Sequence, residues 1–181
     1  MDHGQLKKIL ILRLSAVGDV IRTLPAAKAL KEHCPSSSIT WIVEEPSQAF
    51  LRSQPEVDEV ILFPRKRWTQ GMKSLRKIWG TIGEMRRFVE DLRMRKFDAA
   101  LDFHGTLKSG LLSFFSGSPK RIGYDRMSTK EGNFLFSNVK VRLPRKKISR
   151  IERNLQLLKG VELEVKELKY SLHIPPEDRE Y

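Results

Sequence analysis

Asp19 occupies a position from which a carboxylate could act as general base on a hydroxyl. It follows the apolar run Lys8–Leu14 (KILILRL) by way of Ser15-Ala16-Val17-Gly18. Ser15 and Gly18 permit a tight turn whose amides, with the start of a helix, can face an anion or a sugar hydroxyl. Asp19 then stands at that helix start, where it could take a proton from a hydroxyl nucleophile. The same residue also reads as an ordinary helix-start aspartate, stabilised by free amides and the helix dipole. Pro64–Trp68 and Asp102–Lys108 leave strands in the same way. His104, in the latter, could bond a ligand or be a satisfied structural histidine. Cys34 sits beside Pro35 and reads as inert, and Trp68 and Trp79 read as packing residues. No Walker motif or dinucleotide fingerprint occurs, and no His/Cys/Asp/Glu grouping has a metal-ligand spacing.

These residues need a sheet to position them. Lys8–Leu14, Ile39–Val43, Val60–Phe63 and Phe97–Phe103 read as strands, with Arg121–Tyr124 a possible fifth. Ser15–Asp19 leads into a helix through about Lys31. Leu75, Ile78, Trp79, Ile82, Met85, Val89 and Leu92 step by three and four, which predicts one long amphipathic helix. Arg86, Arg87 and Arg93 fall off that seam and should face solvent. A helix follows Gly105, another spans Ile151–Leu158, and Leu168–Ile174 alternates like a strand. Strands alternating with helices predict an α/β domain, a Rossmann-like parallel sheet with helices on both faces. Ligands of such sheets sit at the carboxyl ends of the strands, where all three segments emerge. Pro175-Pro176-Glu177-Asp178 reads as the start of a linker, with a partner domain expected to follow.

The chain has 181 residues, 40% of them hydrophobic, which fits one globular domain with a real core. A single cysteine excludes an intrachain disulfide framework, no apolar run is long enough to span a bilayer, and the cytoplasm is the default compartment. The net charge of +12 is unevenly spread. Residues 65–96 hold eleven Lys/Arg against Glu84, Glu90 and Asp91, and residues 140–150 hold six with no acid. Such blocks favour polyanions: nucleic acid, a phosphorylated glycolipid or an anionic membrane. A nucleic-acid module would show exposed aromatics among the basic residues. The aromatics here fall mostly on the apolar helix seam, which weighs against that class.

Arg13-Leu14-Ser15-Ala16-Val17-Gly18-Asp19-Val20, followed by Thr23-Leu24-Pro25-Ala26, resembles the opening motif of the lipopolysaccharide heptosyltransferases, glycosyltransferase family 9. Trp41–Glu45, Pro55–Val60, Phe97–Asp102 and Gly105–Ser109 resemble the segments that follow in the family's order. Lys66-Arg67-Trp68 and Lys130-Glu131 resemble the heptosyltransferase I branch in particular. The pattern departs from the family at His104, often Gln there, and at Ser149, often His. The resemblance implies the N-terminal half of a GT-B fold. Residues 1–174 would form the acceptor-binding domain and residues 175–181 the start of the interdomain linker, with a C-terminal donor-binding domain beyond.

The implied activity is inverting transfer of heptose from ADP-heptose to the lipopolysaccharide inner core, with Asp19 as general base and Ser15 and Gly18 beside the substrate. Lys66, Arg67, Lys108, Lys130 and Arg153 would hold Kdo carboxylates and core phosphates through charge-assisted contacts. No cofactor, metal or nucleic acid is implied. The enzyme would be cytoplasmic, peripheral to the inner face of the anionic inner membrane, and residues 1–181 would transfer no sugar alone.

Overall fold

The computed structural model describes residues 6–144 and 146–165. The apolar run after Lys7 forms β1 (Lys8–Leu12), followed by a five-residue helix α1 (Val17–Ile21). A break then precedes α2 (Leu24–His33), where Pro25 takes the second helical position. The single helix expected through Lys31 is thus two, because proline is suited to starting a helix, not to its interior. After α2 come β2 (Ser38–Val43), α3 (Gln48–Arg52) and β3 (Glu59–Leu62). Two helices follow, α4 (Arg65–Met72) and α5 (Ile78–Met94), of which only the second was legible. The chain continues through β4 (Ala99–Asp102), α6 (Leu107–Phe115), β5 (Lys120–Tyr124), β6 (Val139–Val141) and α7 (Arg150–Leu157). Leu168–Ile174 and the expected linker lie outside the described residues.

All six strands are parallel, in the order β3-β2-β1-β4-β5-β6. β1 pairs on one side with β2 and on the other with β4, so the strand order reverses between β1 and β4. That is the point at which a doubly wound sheet opens a crevice at its strand ends. Side chains alternate across β1 as strand geometry requires. Ile9 and Ile11 point into a core with Leu24, Leu30 and Leu157, from α2 and α7. Leu10 and Leu12 point into a second core with Trp68, Leu92 and Leu112, from α4, α5 and α6.

The second core explains why the seam on α5 is turned. Trp68 of α4 packs edge-on against Phe63 and against Phe88 of α5, filling space that the α5 seam would otherwise occupy. α4 and α5 cross closely at Gly71, where a Cβ would lie 2.0 Å from Thr81 Oγ1. Helix α5 therefore buries the Thr81–Leu92 line, and the outer edge of its apolar seam faces solvent. Trp68 is a packing residue as expected, but Trp79 is 80% exposed. Arg86, Arg87 and Arg93 are exposed, as their positions off the seam required.

Candidate functional site

Asp19 lies in the first turn of α1, immediately past the end of β1. Its carboxylate is ion-paired with Arg13, with Arg22 Nη1 at 3.3 Å and Arg150 Nη1 at 3.8 Å from Oδ1. Arg13 is buried, and its Nη1 also donates to the Phe103 carbonyl at 2.6 Å. One guanidinium thus links the ends of β1 and β4 and fixes the carboxylate at the switch point between them. Burial holds the Arg13 pKa below its ordinary value, and the Asp19 charge opposes that shift.

Asp102 organises the facing wall. It is fully buried and accepts from the His104 and Gly105 amides at 2.9 and 3.0 Å, Ser109 Oγ at 2.8 Å and Asn133 Nδ2 at 2.7 Å. Gly105 adopts φ +70°, a left-handed conformation that glycine tolerates best. Its carbonyl accepts the Lys130 amide at 3.2 Å, while the Leu107 amide donates to Glu131 at 3.1 Å. The loop bearing Lys130 is thereby tied to the end of β4. The third wall is α7, whose start is set by a capping box between Ser149 and Glu152. Asn154 Nδ2 donates to the Arg22 carbonyl at 2.9 Å and to Thr23 Oγ1 at 3.0 Å, docking α7 on the α1–α2 corner. Arg153 lies over the Tyr124 ring at 4.1 Å and donates to the Ser128 carbonyl at 2.6 Å.

These walls enclose an open cleft of about 510 Å³. Ser15, Asp19, Lys130 and Arg153, all expected site residues, line it together, though far apart in sequence. Arg13 and Arg150 line it too, and sequence reasoning missed both. A lone cation ending a buried apolar strand was the available signal for Arg13. For Arg150 it was the Ser149-x-x-Glu152 pattern, which fixes where α7 begins. Lys108 is exposed on α6, close enough that its charge lowers the His104 pKa. Gly18 is exposed within α1 and makes no left-handed turn. Lys66 and Arg67, on α4, line a separate cleft of about 240 Å³ with Glu44, at the ends of β2 and β3. Arg67 is also ion-paired with Glu84. The two clefts share the carboxyl edge of the sheet, but Lys66 and Arg67 do not line the one that holds Asp19.

His104 lines the Asp19 cleft and is largely buried. Burial and the neighbouring Arg13 push its pKa down to about 4, so the imidazole is neutral at pH 7. The unfolded chain protonates this histidine near pH 6.5 and the folded one only near 4. Its contribution to stability is therefore complete above pH 6.5 and lost as pH falls toward 4, a loss on the order of 2–3 kcal/mol. Exchange of His104 for Gln should flatten the stability profile across that window, measured by urea unfolding at stepped pH. Parallel profiles for both proteins would show that His104 is not the group responsible.

The arrangement places one carboxylate among cations at the switch point of a parallel sheet, which suits an anionic hydroxylated ligand. A sequence model of glycosyltransferase family 9 (heptosyltransferase) matches residues 85–181. The chain is 31% identical over 138 residues to lipopolysaccharide core heptosyltransferase OpsX of Haemophilus influenzae, covering 76% of this chain and 36% of that protein. It is 33% identical over 126 residues to lipopolysaccharide heptosyltransferase 1 of Pseudomonas aeruginosa, covering 68% of this chain and 34% of that one. Among solved structures, E. coli heptosyltransferase WaaC with ADP-2-deoxy-2-fluoro heptose superposes with a TM-score of 0.77 at 26% identity, over 90% of this chain and 50% of that chain. E. coli ADP-heptose lps heptosyltransferase II shares the fold, with a TM-score of 0.71 at 22% identity, over 94% of this chain and 47% of that one. The matches span about a third of the length of the relatives compared by sequence. The chain belongs to glycosyltransferase family 9, the heptosyltransferase family.

Proposed function

We propose that this chain is the N-terminal, acceptor-binding half of an inverting glycosyltransferase that moves heptose from ADP-heptose to the lipopolysaccharide inner core. The observation that carries this reading is the Asp19 cleft itself, a carboxylate with Arg13, Lys130, Arg150 and Arg153 in one strand-end crevice. In the proposed reaction an acceptor hydroxyl gives its proton to Asp19 as its oxygen attacks the anomeric carbon of heptose. The bond from that carbon to the departing phosphate oxygen breaks, and ADP leaves with the electron pair. Lys130, Arg150 and Arg153 hold the Kdo carboxylate or a core phosphate, which orients the hydroxyl toward Asp19. An acceptor that extends along the sheet edge would bring its other anions to Lys66 and Arg67 in the second cleft. The donor is bound mainly by a second Rossmann-like domain, and no cofactor besides the donor takes part.

The test is transfer by the full-length protein from ADP-heptose to a Kdo-bearing lipid A acceptor. Transfer with inversion is the expected result. Removing a hydrogen bond to a charged group costs about 1.5–3 kcal/mol. Lys130→Ala should therefore raise the acceptor KM by roughly tenfold or more, with a smaller change in kcat. An unchanged KM would remove Lys130 from the acceptor site, and failure to transfer heptose to any core acceptor would overturn the reading.

A further inference from the structure

We propose that the corner between α4 and α5 is a docking surface for the anionic headgroup face of a lipid bilayer. Leu75 is 91% exposed, Trp79 80% and Ile82 42%. Their spacing of four and then three residues matches one side of a helix, continued from the connecting turn into α5. Lys73, Arg76 and Lys77 alternate with them, and none forms an ion pair among the described residues. Beside this surface, α4 and α5 enclose a groove of about 520 Å³ lined by Ser74, Arg76, Lys77 and Arg67. Glu84 also lines it and is already paired with Arg67.

A large aliphatic and an indole standing this far out in water gain by entering an apolar medium. Three uncompensated cations beside them select one that carries negative charge at its surface. The bilayer interface offers both within a few ångströms: hydrocarbon for Leu75 and Ile82, the headgroup boundary for the Trp79 indole, and phosphates for the cations. A nucleic acid matches the charge, but base stacking uses aromatic faces, and the neighbours of Trp79 on this face are the aliphatics Leu75 and Ile82. α4 also carries Lys66 and Arg67, so the docked helix pair would set the second cleft close to the lipid surface. This inference rests on the glycolipid acceptor proposed above only for its purpose.

The experiment is flotation of the full-length protein with phosphatidylcholine vesicles, with and without phosphatidylglycerol, in the absence of sugar acceptor and donor. It can therefore fail while heptose transfer stands. Binding is expected on the anionic vesicles and should weaken with salt. Leu75→Ser with Trp79→Ser should reduce it roughly tenfold or more. Lys73→Glu with Arg76→Glu should remove the preference for anionic lipid, at roughly fivefold per residue. Trp41 and Trp68 are buried, and the part of the quenching by brominated acyl chains that is lost in Trp79→Phe reports Trp79. Circular dichroism verifies that the variants fold. The proposal is overturned if the protein does not float, or if the Leu75/Trp79 variant floats unchanged. It is equally overturned if acrylamide cannot reach Trp79 in the full-length protein, or if oligonucleotide and not lipid shifts the Trp79 emission.

Discussion

Exchange of Asp19 for Asn in the full-length protein is expected to lower turnover by roughly 10²–10⁴-fold, the range for losing a positioned general base. The amide keeps the shape of the carboxylate and one oxygen that Arg13 or Arg150 can still donate to, but it cannot accept the acceptor proton. Acceptor affinity should hold, because Lys130, Arg150 and Arg153 remain and the cleft becomes one charge more positive. The loss therefore belongs in kcat with little change in KM. A purely structural role would move stability instead. Arg13, buried and ion-paired with Asp19, would keep its bond to the Phe103 carbonyl but exchange the ion pair for a bond to a neutral amide oxygen, at a cost of about 1 kcal/mol. Thermal melting separates the two effects. Near-normal turnover in a variant that melts early would leave Asp19 as a helix-start residue that braces Arg13.

The parts of this fold that were legible are those set by one local pattern. β1, β2 and β4 are mostly apolar runs because a central parallel strand is covered on both faces. Their ends locate the crevice, and hence Asp19, without any knowledge of side-chain contacts. β6 was missed because Val139-Lys140-Val141 is three residues long and lies beside the basic block, so its alternation is too brief to register. For α5 the period was plain but its rotation was not. Which edge of the seam is buried depends on Trp68 of α4 having already filled the second core. The same dependence governs the site. Lys66 and Arg67 follow a strand end as Asp19 does, but they line a different cleft because α4 carries them to the ends of β2 and β3. Lys130 and Arg153 came from family resemblance and not from spacing. Their approach to Asp19 depends on a loop held by Gly105 and a helix docked by Asn154. Contacts between residues more than a hundred positions apart leave no local trace in composition or period.

That loop is where a change remote from the ligand should act most strongly. Asp102→Ala removes the acceptor for two backbone amides, Ser109 Oγ and Asn133 Nδ2, all at a fully buried position. Two of these donors have a fallback, since Ser109 Oγ lies 3.0 Å and Asn133 Nδ2 2.7 Å from the Thr106 carbonyl. The His104 amide keeps a weaker one in the Leu12 carbonyl at 3.2 Å, so among the described residues the Gly105 amide is the donor left without a second acceptor. A loss of about 1–3 kcal/mol follows for a buried donor left without its acceptor, and most of it should appear as a lowered melting temperature. Burial pushes the Asp102 carboxyl up while the four donors pull against it. A neutral Asn keeps one oxygen for the amides but turns its NH₂ toward groups that are themselves donors. Asp102→Asn should therefore recover part of the stability and not all of it. The functional consequence runs through Gly105. Once its amide is released, the carbonyl that accepts the Lys130 amide is no longer fixed, and Lys130 loses its place on the cleft wall. The alanine variant should then show faster amide exchange at Lys130 and Glu131, and a raised acceptor KM resembling that of Lys130→Ala. The effect should be well below additive when the two changes are combined, because both remove the same contact. Full additivity would mean that Asp102 supports the fold but does not position Lys130.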